Sequence, residues 1–368
     1  MRILYVTTIG GTMRFFKTFI KELIDAGHTV DIATNTDLSP VASYYSEWGC
    51  KVHKISCSRS PLEKNTVKAI SEIKKIVSDN QYDIVHCHTP IAAMCTRLAC
   101  RKARKKGTKV FYTAHGFHFY KKAPFKNWMM FFPIEWLCSF MTDKIITINK
   151  EDFARAQKRM HAKNICYVPG VGFETDNLST DHAARESKRK ELGIPDDSIA
   201  VLSVGELNAN KNHEVILKAI SKLEDKNIIY VICGKGDKKD YLEKLAEELG
   251  MKERLILAGF RNDVSEIYRC CDVFAFSSFR EGLSVSLMEA MNGGMPVICS
   301  KIRGNVDLID DGKGGFLFDP FSVDSAVSAL KKFTALENTE EIAQYNRNKL
   351  EEFKLERVNK KMFEIYGL

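Results

Sequence analysis

The sequence predicts an α/β protein made of two doubly wound, Rossmann-like domains, each a parallel sheet covered by helices on both faces. The chain of 368 residues is too long for one ordinary core and long enough for two domains of roughly 150–200 residues. Short apolar runs alternate with helical segments along both halves, and this alternation restarts after Pro169. We therefore expect a first domain over residues 1–172, a second over 173–344, and a C-terminal helix of about 345–368 that crosses back onto the first domain.

The first half begins with a buried-strand run at Ile3–Thr7, which Gly10-Gly11 interrupt. Apolar residues then recur at helical spacing over Met13–Ala26, and Gly27 is a usual helix stop. Further strands are predicted over Thr29–Ala33, Val52–Ile55, Ile84–His88, Lys109–Thr113 and Lys144–Ile148, with an amphipathic helix over Leu62–Ser78. Strands separated by helices of this length imply a parallel sheet.

The second half starts with a polar stretch over 174–187, which we interpret as a linker and the start of a helix. Strands are predicted over Ala200–Val204, Ile228–Cys233, Leu255–Ala258, Val273–Ser277 and Val297–Ser300, and helices over Asn212–Leu223, Lys239–Leu249, Val264–Cys270 and Ser284–Asn292. Apolar positions at helical spacing predict one last helix over Glu340–Tyr366. Two such sheets should face a central cleft, with the carboxyl ends of the strands pointing into it and carrying the ligand-binding loops.

Composition places the chain among soluble globular proteins, with 45% hydrophobic and 28% charged residues. The longest apolar stretch, Trp128–Met141, contains Pro133 and Glu135 and falls short of the ~20 residues that a membrane-spanning helix needs. No signal peptide is visible before the first strand. The 11 cysteines include no C-x-x-C pair, so we expect reduced thiols and a cytoplasmic location.

Positive charge is concentrated in the first half of the chain. Residues 1–180 carry 27 Lys and Arg against 15 Asp and Glu, whereas residues 181–368 carry 28 against 32. A basic first half suggests an anionic partner, which could be acidic lipid, a phosphorylated acceptor or nucleic acid, and a solvated surface is the alternative. Basic and aromatic residues are interleaved over Lys121–Met141, which suits the surface of an anionic membrane. Packing of a buried helix is the alternative for this segment.

The most informative stretch follows the strand run Val273–Phe276 and opens a helix. Gly282 permits a tight turn, and the backbone amides of Leu283–Val285 would be unpaired donors of the first helical turn. Such donors and the helix dipole suit a phosphate or diphosphate. Glu281 and Glu289 could each accept hydrogen bonds from neighbouring hydroxyls of a sugar or a ribose. The alternative is a capping acid and a solvated helix face.

Glu281 and Glu289 have seven residues between them, and this spacing resembles the E-x7-E motif of family 4 glycosyltransferases, which have the GT-B fold. The likeness is greatest to bacterial capsule and exopolysaccharide transferases. Further words resemble the family in the family's order: Gly10-Gly11, His86-Cys87-His88-Thr89-Pro90, Thr113-Ala114-His115-Gly116-Phe117-His118, Val204-Gly205-Glu206-Leu207 with Lys211-Asn212, Cys233-Gly234-Lys235-Gly236-Asp237, Gly259-Phe260-Arg261-Asn262-Asp263-Val264, and Asp311-Gly312 with Gly315-Phe316-Leu317.

The resemblance implies roles for individual residues. Glu281 would bind hydroxyls of the donor sugar, Glu289 the ribose, and Lys211 the diphosphate, while His115 would lie beside the transferred sugar. Catalytic roles are thus implied for His115, Glu281 and Lys211. The donor side as a whole would comprise Gly205, Glu206, Lys211, Gly234, Gly259, Phe260, Arg261, Glu281, Gly282, Leu283, Ser284 and Glu289, with the loop after Gly259 against the base. The acceptor or phosphate side would comprise Gly10, Gly11, His88 and His118, the two glycines because close approach to a ligand excludes side chains.

Two positions depart from the family pattern. Glu206 stands where the family commonly has an arginine that helps to neutralise the leaving diphosphate, and Ser284 stands where glycine is frequent. A negative charge at this position would disfavour a diphosphate unless Glu206 points away from it or pairs with Lys211. For neutralising the diphosphate, either Lys211 acts largely alone or another basic residue, such as Arg280, replaces the missing arginine. A zinc site at His86, His88 and His115 is disfavoured, because no acidic cluster accompanies them and Cys87 points to the other face.

The predicted function is transfer of a sugar, with retention of configuration, from a nucleotide diphosphate sugar to a lipid-linked or polysaccharide-precursor acceptor. Uridine is expected from the resemblance alone. The resemblance implies retention of configuration without a metal or other cofactor, and the absence of a D-x-D word agrees with this. No nucleic-acid partner is expected. Three alternatives remain open: a nucleotide-sugar epimerase of the same fold, a sugar-nucleotide-binding protein without transfer activity, and a nicotinamide-dependent oxidoreductase, against which the incomplete G-x-G-x-x-G spacing argues.

Overall fold

The computed structural model describes residues 1–58, 64–174 and 182–368. Two compact units divide the chain. Unit 1 comprises Met1–Val171 and Val358–Leu368, and unit 2 comprises Gly172–Arg357. The chain therefore returns to unit 1 only at Val358, later than the position of about 345 expected from the sequence.

Unit 1 contains a sheet that has seven strands within the described residues. They are β1 (Arg2–Ile9), β2 (Thr29–Asn35), β3 (Val52–Lys54), β4 (Ile84–His88), β5 (Lys109–Ala114), β6 (Lys144–Thr147) and β7 (Asn164–Tyr167). Every recorded pairing is parallel, in the order β3-β2-β1-β4-β5-β6-β7. The predicted parallel, doubly wound sheet is confirmed.

Helices cover both faces of this sheet. They are α1 (Lys17–Asp25), α2 (Tyr44–Glu47), α3 (Lys64–Asn80), α4 (Pro90–Ala99), α5 (Arg101–Lys105), α6 (Phe125–Ser139) and α7 (Lys150–Arg159). On one face Val85 and Tyr112 pack in the core with residues of α3 and α4. On the other face Tyr5 and Phe111 pack with residues of α1 and with Tyr366 from the end of the chain. The first two residues of the helix predicted over Leu62–Ser78 lie outside the described residues.

Unit 2 contains a parallel sheet with six strands in the part of the chain that the structure describes. They are β8 (Ile199–Val204), β9 (Ile228–Cys233), β10 (Leu255–Gly259), β11 (Val273–Phe276), β12 (Val297–Ser300) and β13 (Gly315–Phe318), in the order β10-β9-β8-β11-β12-β13. The helices are α8 (His182–Leu192), α9 (His213–Ser221), α10 (Lys239–Glu248), α11 (Val264–Cys270), α12 (Val285–Asn292), α13 (Asn305–Leu308), α14 (Val323–Thr334) and α15 (Glu340–Leu350). The last helix, α16 (Leu355–Tyr366), begins in unit 2 and belongs to unit 1 from Val358 onward. Half of the predicted linker over 174–187, residues 175–181, lies outside the described residues.

The prediction of a single helix over Glu340–Tyr366 is wrong. A short 3₁₀ turn, Glu351–Phe353, and the extended residue Lys354 separate α15 from α16. Phe353 is 1% exposed in the core of unit 2, and its carbonyl accepts a hydrogen bond from Phe173 N at 3.0 Å. Burial of this aromatic ring and pairing with residue 173 outweigh the helical periodicity of the segment.

Within the described residues no helix is both long enough and apolar enough to cross a bilayer. All 11 cysteines are free thiols, and Cys166 alone among them is partly exposed.

Candidate active site

The turn between β11 and α12 places the two predicted glutamates of unit 2 at the carboxyl edge of its sheet. Ser284 is the N-cap of α12, and its hydroxyl accepts a hydrogen bond from Leu287 N at 3.4 Å. Within the described residues the structure records no acceptor for the backbone N–H groups of Gly282, Leu283 and Val285. These donors, at the positive end of the helix, can therefore bind an anion.

Lys211 and Glu281 are brought together at this turn. Lys211 Nζ lies 2.9 Å from Glu281 Oε1, with side-chain exposures of 19% and 17%. The loop that carries Lys211 is tied to the end of β11, because Ser277 Oγ donates to the Lys211 carbonyl at 2.8 Å and Phe279 N donates to the Asn210 carbonyl at 2.8 Å. A cation and a carboxylate are thus held beside the free amides.

Glu206 does not pair with Lys211. Its side chain is exposed, and its Oε2 accepts a hydrogen bond from Asn208 Nδ2 at 2.8 Å. The Glu206 carbonyl lies 3.2 Å from His213 Nε2. The first of the two options left open by the sequence, that Glu206 points away, fits these contacts.

Arg303 is a residue of this turn that the sequence did not reveal. It follows β12, is 4% exposed, and its Nε donates to the Glu281 carbonyl at 3.1 Å. A buried guanidinium therefore adds positive charge beside Glu281. No periodicity or spacing marks Arg303, since only the folding of the chain brings the loop after β12 next to the loop after β11.

Glu289 lies on α12 and is half-buried. The Tyr268 hydroxyl, on α11, lies 3.0 Å from Glu289 Oε2 and 3.0 Å from the Ser286 carbonyl. Burial and the neighbouring Glu289 carboxylate hold the pKa of Tyr268 well above its ordinary value. Tyr268 is therefore a neutral donor that orients Glu289, and the sequence did not point to it.

The predicted glycines of the donor side join three neighbouring loops. Gly234 N donates to the Gly259 carbonyl at 2.7 Å, and a Cβ atom at position 234 would lie 1.8 Å from the Gly205 carbonyl oxygen. After Gly259, the Phe260 side chain is 66% exposed. The close contact between these loops therefore requires glycine at position 234, independently of any contact with a ligand.

Arg261 is directed toward two acids of unit 2. Its Nε donates to Asp263 Oδ1 at 2.7 Å, and its second terminal nitrogen lies 2.5 Å from Glu191 Oε1. These contacts fix the side chain at the loop after β10, where the resemblance implies contact with the base.

In unit 1 the predicted histidines lie at the carboxyl ends of β4 and β5. His88 Nδ1 is 3.2 Å from His115 Nε2. His88 is 1% exposed, and its Nε2 has no hydrogen-bond partner among the described residues. Burial lowers the pKa of His115 to about 4, and burial followed by the neighbouring His86 and His115 lowers that of His88 well below its ordinary value. Both imidazoles are neutral at pH 7.

His86 occupies the same face of β4 but has a structural role. Its Nδ1 lies 2.6 Å from the Tyr366 hydroxyl and its Nε2 lies 2.8 Å from Thr113 Oγ1. Both ring nitrogens are therefore engaged, and among the described residues no group of three or more His, Cys, Asp or Glu side chains is arranged to hold a metal ion.

Gly10 and Gly11 directly follow the end of β1, as the sequence predicted. They continue directly from β1 into a 3₁₀ helix, Gly10–Phe16. A Cβ atom at Gly10 would lie 2.5 Å from the Ser39 carbonyl oxygen, and one at Gly11 would lie 2.9 Å from Ser39 Oγ. The loop at Ser39 fills the space beside both glycines, so it excludes a side chain there whether or not a ligand also approaches them.

His118 lines a cavity of about 290 Å³ at the carboxyl ends of β1 and β4. Its ring stacks on Phe131 of α6 with centroids 4.3 Å apart. Thr89 adopts a positive φ of 64° at the start of α4, and Thr8 Oγ1 lies 2.7 Å from Thr89 Oγ1. The remaining lining residues are Ile9, Thr12, Pro90 and Ile91.

Comparison with known proteins explains why the site residues divide between two units. The family described as "Glycosyl transferase 4-like" matches residues 2–149, and "Glycosyl transferases group 1" matches residues 184–350. EpsD of Bacillus subtilis (strain 168), a protein named as a glycosyltransferase, is 35% identical over 86% of this chain and 83% of its own length. The chain belongs to the GT-B glycosyltransferases.

Another relative has a name that specifies its substrates, and two solved structures share the fold of this glycosyltransferase. An Escherichia coli protein that is 28% identical, over 73% of this chain and 70% of its own length, is named UDP-Gal:alpha-D-GlcNAc-diphosphoundecaprenol alpha-1,3-galactosyltransferase. The crystal structure of Anabaena HepE in complex with UDP matches all of both chains with a TM-score of 0.82 at 18% identity. WaaG, a glycosyltransferase involved in lipopolysaccharide biosynthesis, matches 99% of both chains with a TM-score of 0.74 at 18% identity. These two structures show the shared fold.

Proposed function

We propose that this glycosyltransferase moves a sugar from a UDP-sugar to a lipid-linked or polysaccharide-precursor acceptor, with retention of anomeric configuration. The observation that carries the proposal is the arrangement at the start of α12. Lys211 contacts Glu281, the free amides of Gly282 and Leu283 follow Glu281 along the turn, and Glu289 lies two turns farther along the same segment, on α12. Cationic and amide donors suit a diphosphate, and the flanking carboxylates suit hydroxyls on either side of it.

The proposed chemistry relies on stabilising the leaving group. As the bond from the sugar to the diphosphate breaks, negative charge grows on the phosphate oxygens, and Lys211 and the helix-end amides stabilise it. Binding of the diphosphate at Lys211 also frees Glu281 from its ion pair, so that its carboxylate can accept hydrogen bonds from the sugar. Tyr268 keeps Glu289 oriented toward the ribose.

His115 takes part as a neutral imidazole in this proposal. Because burial lowers its pKa to about 4, it offers a hydrogen bond to the transferred sugar and not a positive charge. Since Lys211 and backbone donors meet the diphosphate charge, the reaction proposed here needs no metal ion. Retention follows the family resemblance.

The donor base and the acceptor are proposed from the relatives. HepE was solved with UDP and with UDP-glucose, which supports a uridine donor. The name of the Escherichia coli relative specifies a UDP-sugar donor and a diphosphoundecaprenol-linked acceptor, which supports a lipid-linked acceptor here. The 290 Å³ cavity beside His118 is a place for such an acceptor in unit 1.

Peripheral attachment to the inner face of a membrane is part of the same proposal, and α6 supports it. Trp128, Phe131 and Phe132 pack against the core of unit 1. At 100° per residue, the side chains that remain exposed on α6 fall within an arc of about 140°. The large apolar ones are Phe125, Met129, Met130, Trp136 and Leu137, with exposures from 40% to 77%, and Lys126 and Pro133 are exposed within the same arc. An exposed apolar helix face is typical of interfacial helices.

Assays with labelled UDP-glucose, UDP-galactose and UDP-N-acetylglucosamine test the reaction, each with and without a polyprenyl-diphosphate-linked sugar. We expect product only when the acceptor is present, in EDTA as well as in Mg²⁺, and an α-linkage from an α-linked donor by NMR. A new nucleotide sugar without acceptor would indicate an epimerase. Binding of UDP without any product would indicate a sugar-nucleotide-binding protein.

A further inference from the structure

A second cavity lies in unit 1, away from the predicted site residues. It has a volume of about 320 Å³ and is lined by Arg101, Arg104, Lys105, Met141 and Lys163. Arg101–Lys105 precedes β5, Met141 precedes β6 and Lys163 precedes β7. The cavity therefore lies at the amino edge of the sheet, whereas His88 and His115 lie at the carboxyl edge.

The cavity carries an excess of positive charge. Arg104 contacts Asp143 at 2.7 Å and donates to the Phe140 carbonyl at 2.9 Å, and Lys163 Nζ lies 2.8 Å from Asp143. Burial would raise the pKa of Asp143, but the hydrogen bonds from Arg104 and Lys163 lower it to about 2. Asp143 is thus ionised and balances one cation. No acidic partner for Arg101 or Lys105 is recorded in the described part of the chain.

The surrounding sequence offers no compensation for this charge. Residues 84–134 contain no Asp or Glu, and residues 101–109 contain six Lys and Arg. A potential of one sign therefore extends from the cavity along α5, and it attracts anions.

Aromatic side chains border the cavity on the side of α6. Phe140, whose carbonyl binds Arg104, is 48% exposed and stacks on His161 with centroids 4.3 Å apart. Trp136 packs edge-on against Phe140 at 5.1 Å and is 40% exposed. The exposed apolar face of α6 thus ends directly at the basic cavity.

We propose that this cavity binds the phosphate headgroup of an anionic phospholipid while Trp136, Leu137 and Phe140 enter the interface beside it. Guanidinium and ammonium groups match phosphate oxygens in charge and geometry. Arg104 is already held in place by Asp143, and aromatic rings favour the depth of the headgroups. The inference rests on the proposed membrane attachment and names the lipid class that the enzyme recognises.

Cosedimentation of the full-length protein with vesicles tests the site. Phosphatidylcholine vesicles are compared with vesicles that also contain phosphatidylglycerol. The double variant Arg101→Glu/Lys105→Glu removes two lining cations. Lys102→Glu/Lys106→Glu is the matched control, since it changes the net charge equally on side chains that do not line the cavity. We expect the first variant to lose binding to the anionic vesicles by about tenfold or more and the control to lose much less.

If both double variants lose the same amount of binding to anionic vesicles, general electrostatic attraction explains the binding and the proposed headgroup site is wrong. Binding of inorganic phosphate in this cavity, with vesicle binding unchanged in the first variant, would overturn the lipid as ligand. If light scattering shows a dimer for the wild-type protein and a monomer for Leu137→Gln, while vesicle binding is unchanged, then the apolar face of α6 binds a second copy of the chain and not lipid. Transfer to a short-chain, water-soluble acceptor should be unchanged in Arg101→Glu/Lys105→Glu, so failure of the proposed reaction is seen separately from failure of lipid binding.

Discussion

Lys211 Nζ lies 2.9 Å from Glu281 Oε1, and each side chain is less than one-fifth exposed. The pair joins the cation proposed for the diphosphate to the carboxylate proposed for the sugar. Removal of one partner therefore affects both functions.

Replacement of Lys211 by Met should lower kcat/KM by about 100-fold to 1,000-fold, because one group that stabilises the leaving charge is lost. UDP binding, measured by calorimetry, should weaken as well. Lys222→Met is the matched control, since Lys222 forms an exposed ion pair with Asp324 and should have normal kinetics. Normal kinetics in Lys211→Met would remove this residue from the site.

Tyr268→Phe should weaken UDP binding without slowing the chemical step. The hydroxyl within 3.0 Å of Glu289 Oε2 orients the carboxylate proposed to bind ribose, and a hydrogen bond to a charged group contributes about 1.5–3 kcal/mol. We expect KM for the donor to rise about tenfold while kcat is retained. Tyr241→Phe removes a hydrogen bond to Glu214 elsewhere in unit 2 and serves as control. A fall in kcat at unchanged KM would contradict the orienting role.

The sequence predicts the fold well because alternation of strands and helices is a local signal. Strands such as Ile84–His88 and Ile228–Cys233 have the predicted bounds. β7 is missing from the predictions because its side chains are only partly buried at the sheet edge, which weakens the apolar pattern. The break before α16 is also missing, since it depends on contact between Phe353 and the distant Phe173.

In the site, residues within one motif are predictable and partners from other loops are not. The spacing of Glu281 and Glu289 is visible in the sequence, whereas Arg303 and Tyr268 reach them only through tertiary contacts. Gly10 also belongs to a motif, but the sequence does not reveal that contact with the Ser39 loop excludes a side chain at this position.

A buried ion pair anchors α6 to α4. Arg97 and Glu135 are 0% and 5% exposed, their side chains are 2.8 Å apart, and the Tyr112 hydroxyl donates to Glu135 at 3.0 Å. Glu135→Ala should lower the free energy of unfolding by about 3–5 kcal/mol, because it leaves a buried cation without a partner. The double variant Arg97→Met/Glu135→Leu should recover most of this loss in urea unfolding. Equal stability of Glu135→Ala and wild type would contradict the role of the pair.

The buried histidines should make stability depend on pH. Burial, followed by the neighbouring His115, lowers the pKa of His86 to about 3 from an ordinary value of 6.5. Below pH 6.5 the unfolded chain takes up a proton that folded His86 does not, so stability rises with pH between about 3 and 6.5. At pH 5 this residue should reduce stability by about 2 kcal/mol relative to pH 7. His86→Gln should remove that part of the pH dependence in urea unfolding, and an unchanged slope would contradict it.

Glu206 places a negative charge on the strand-end loop that also carries Lys211, and its carboxylate is exposed with Asn208 as its recorded partner. If a diphosphate binds at Lys211, the Glu206 carboxylate repels it. Because solvent lies between the two groups, this repulsion should cost about 1 kcal/mol of binding free energy or less. Glu206→Gln should therefore tighten UDP binding about threefold, and Glu206→Arg should tighten it further. Glu253→Gln, at an exposed position on the 3₁₀ turn Lys252–Arg254, is the control for net charge.

The gain in UDP affinity of Glu206→Gln should fade at high salt, because exposed charges are screened. Weaker UDP binding in Glu206→Gln would mean that Glu206 itself contacts the donor, and the proposed position of the diphosphate at Lys211 would then be wrong.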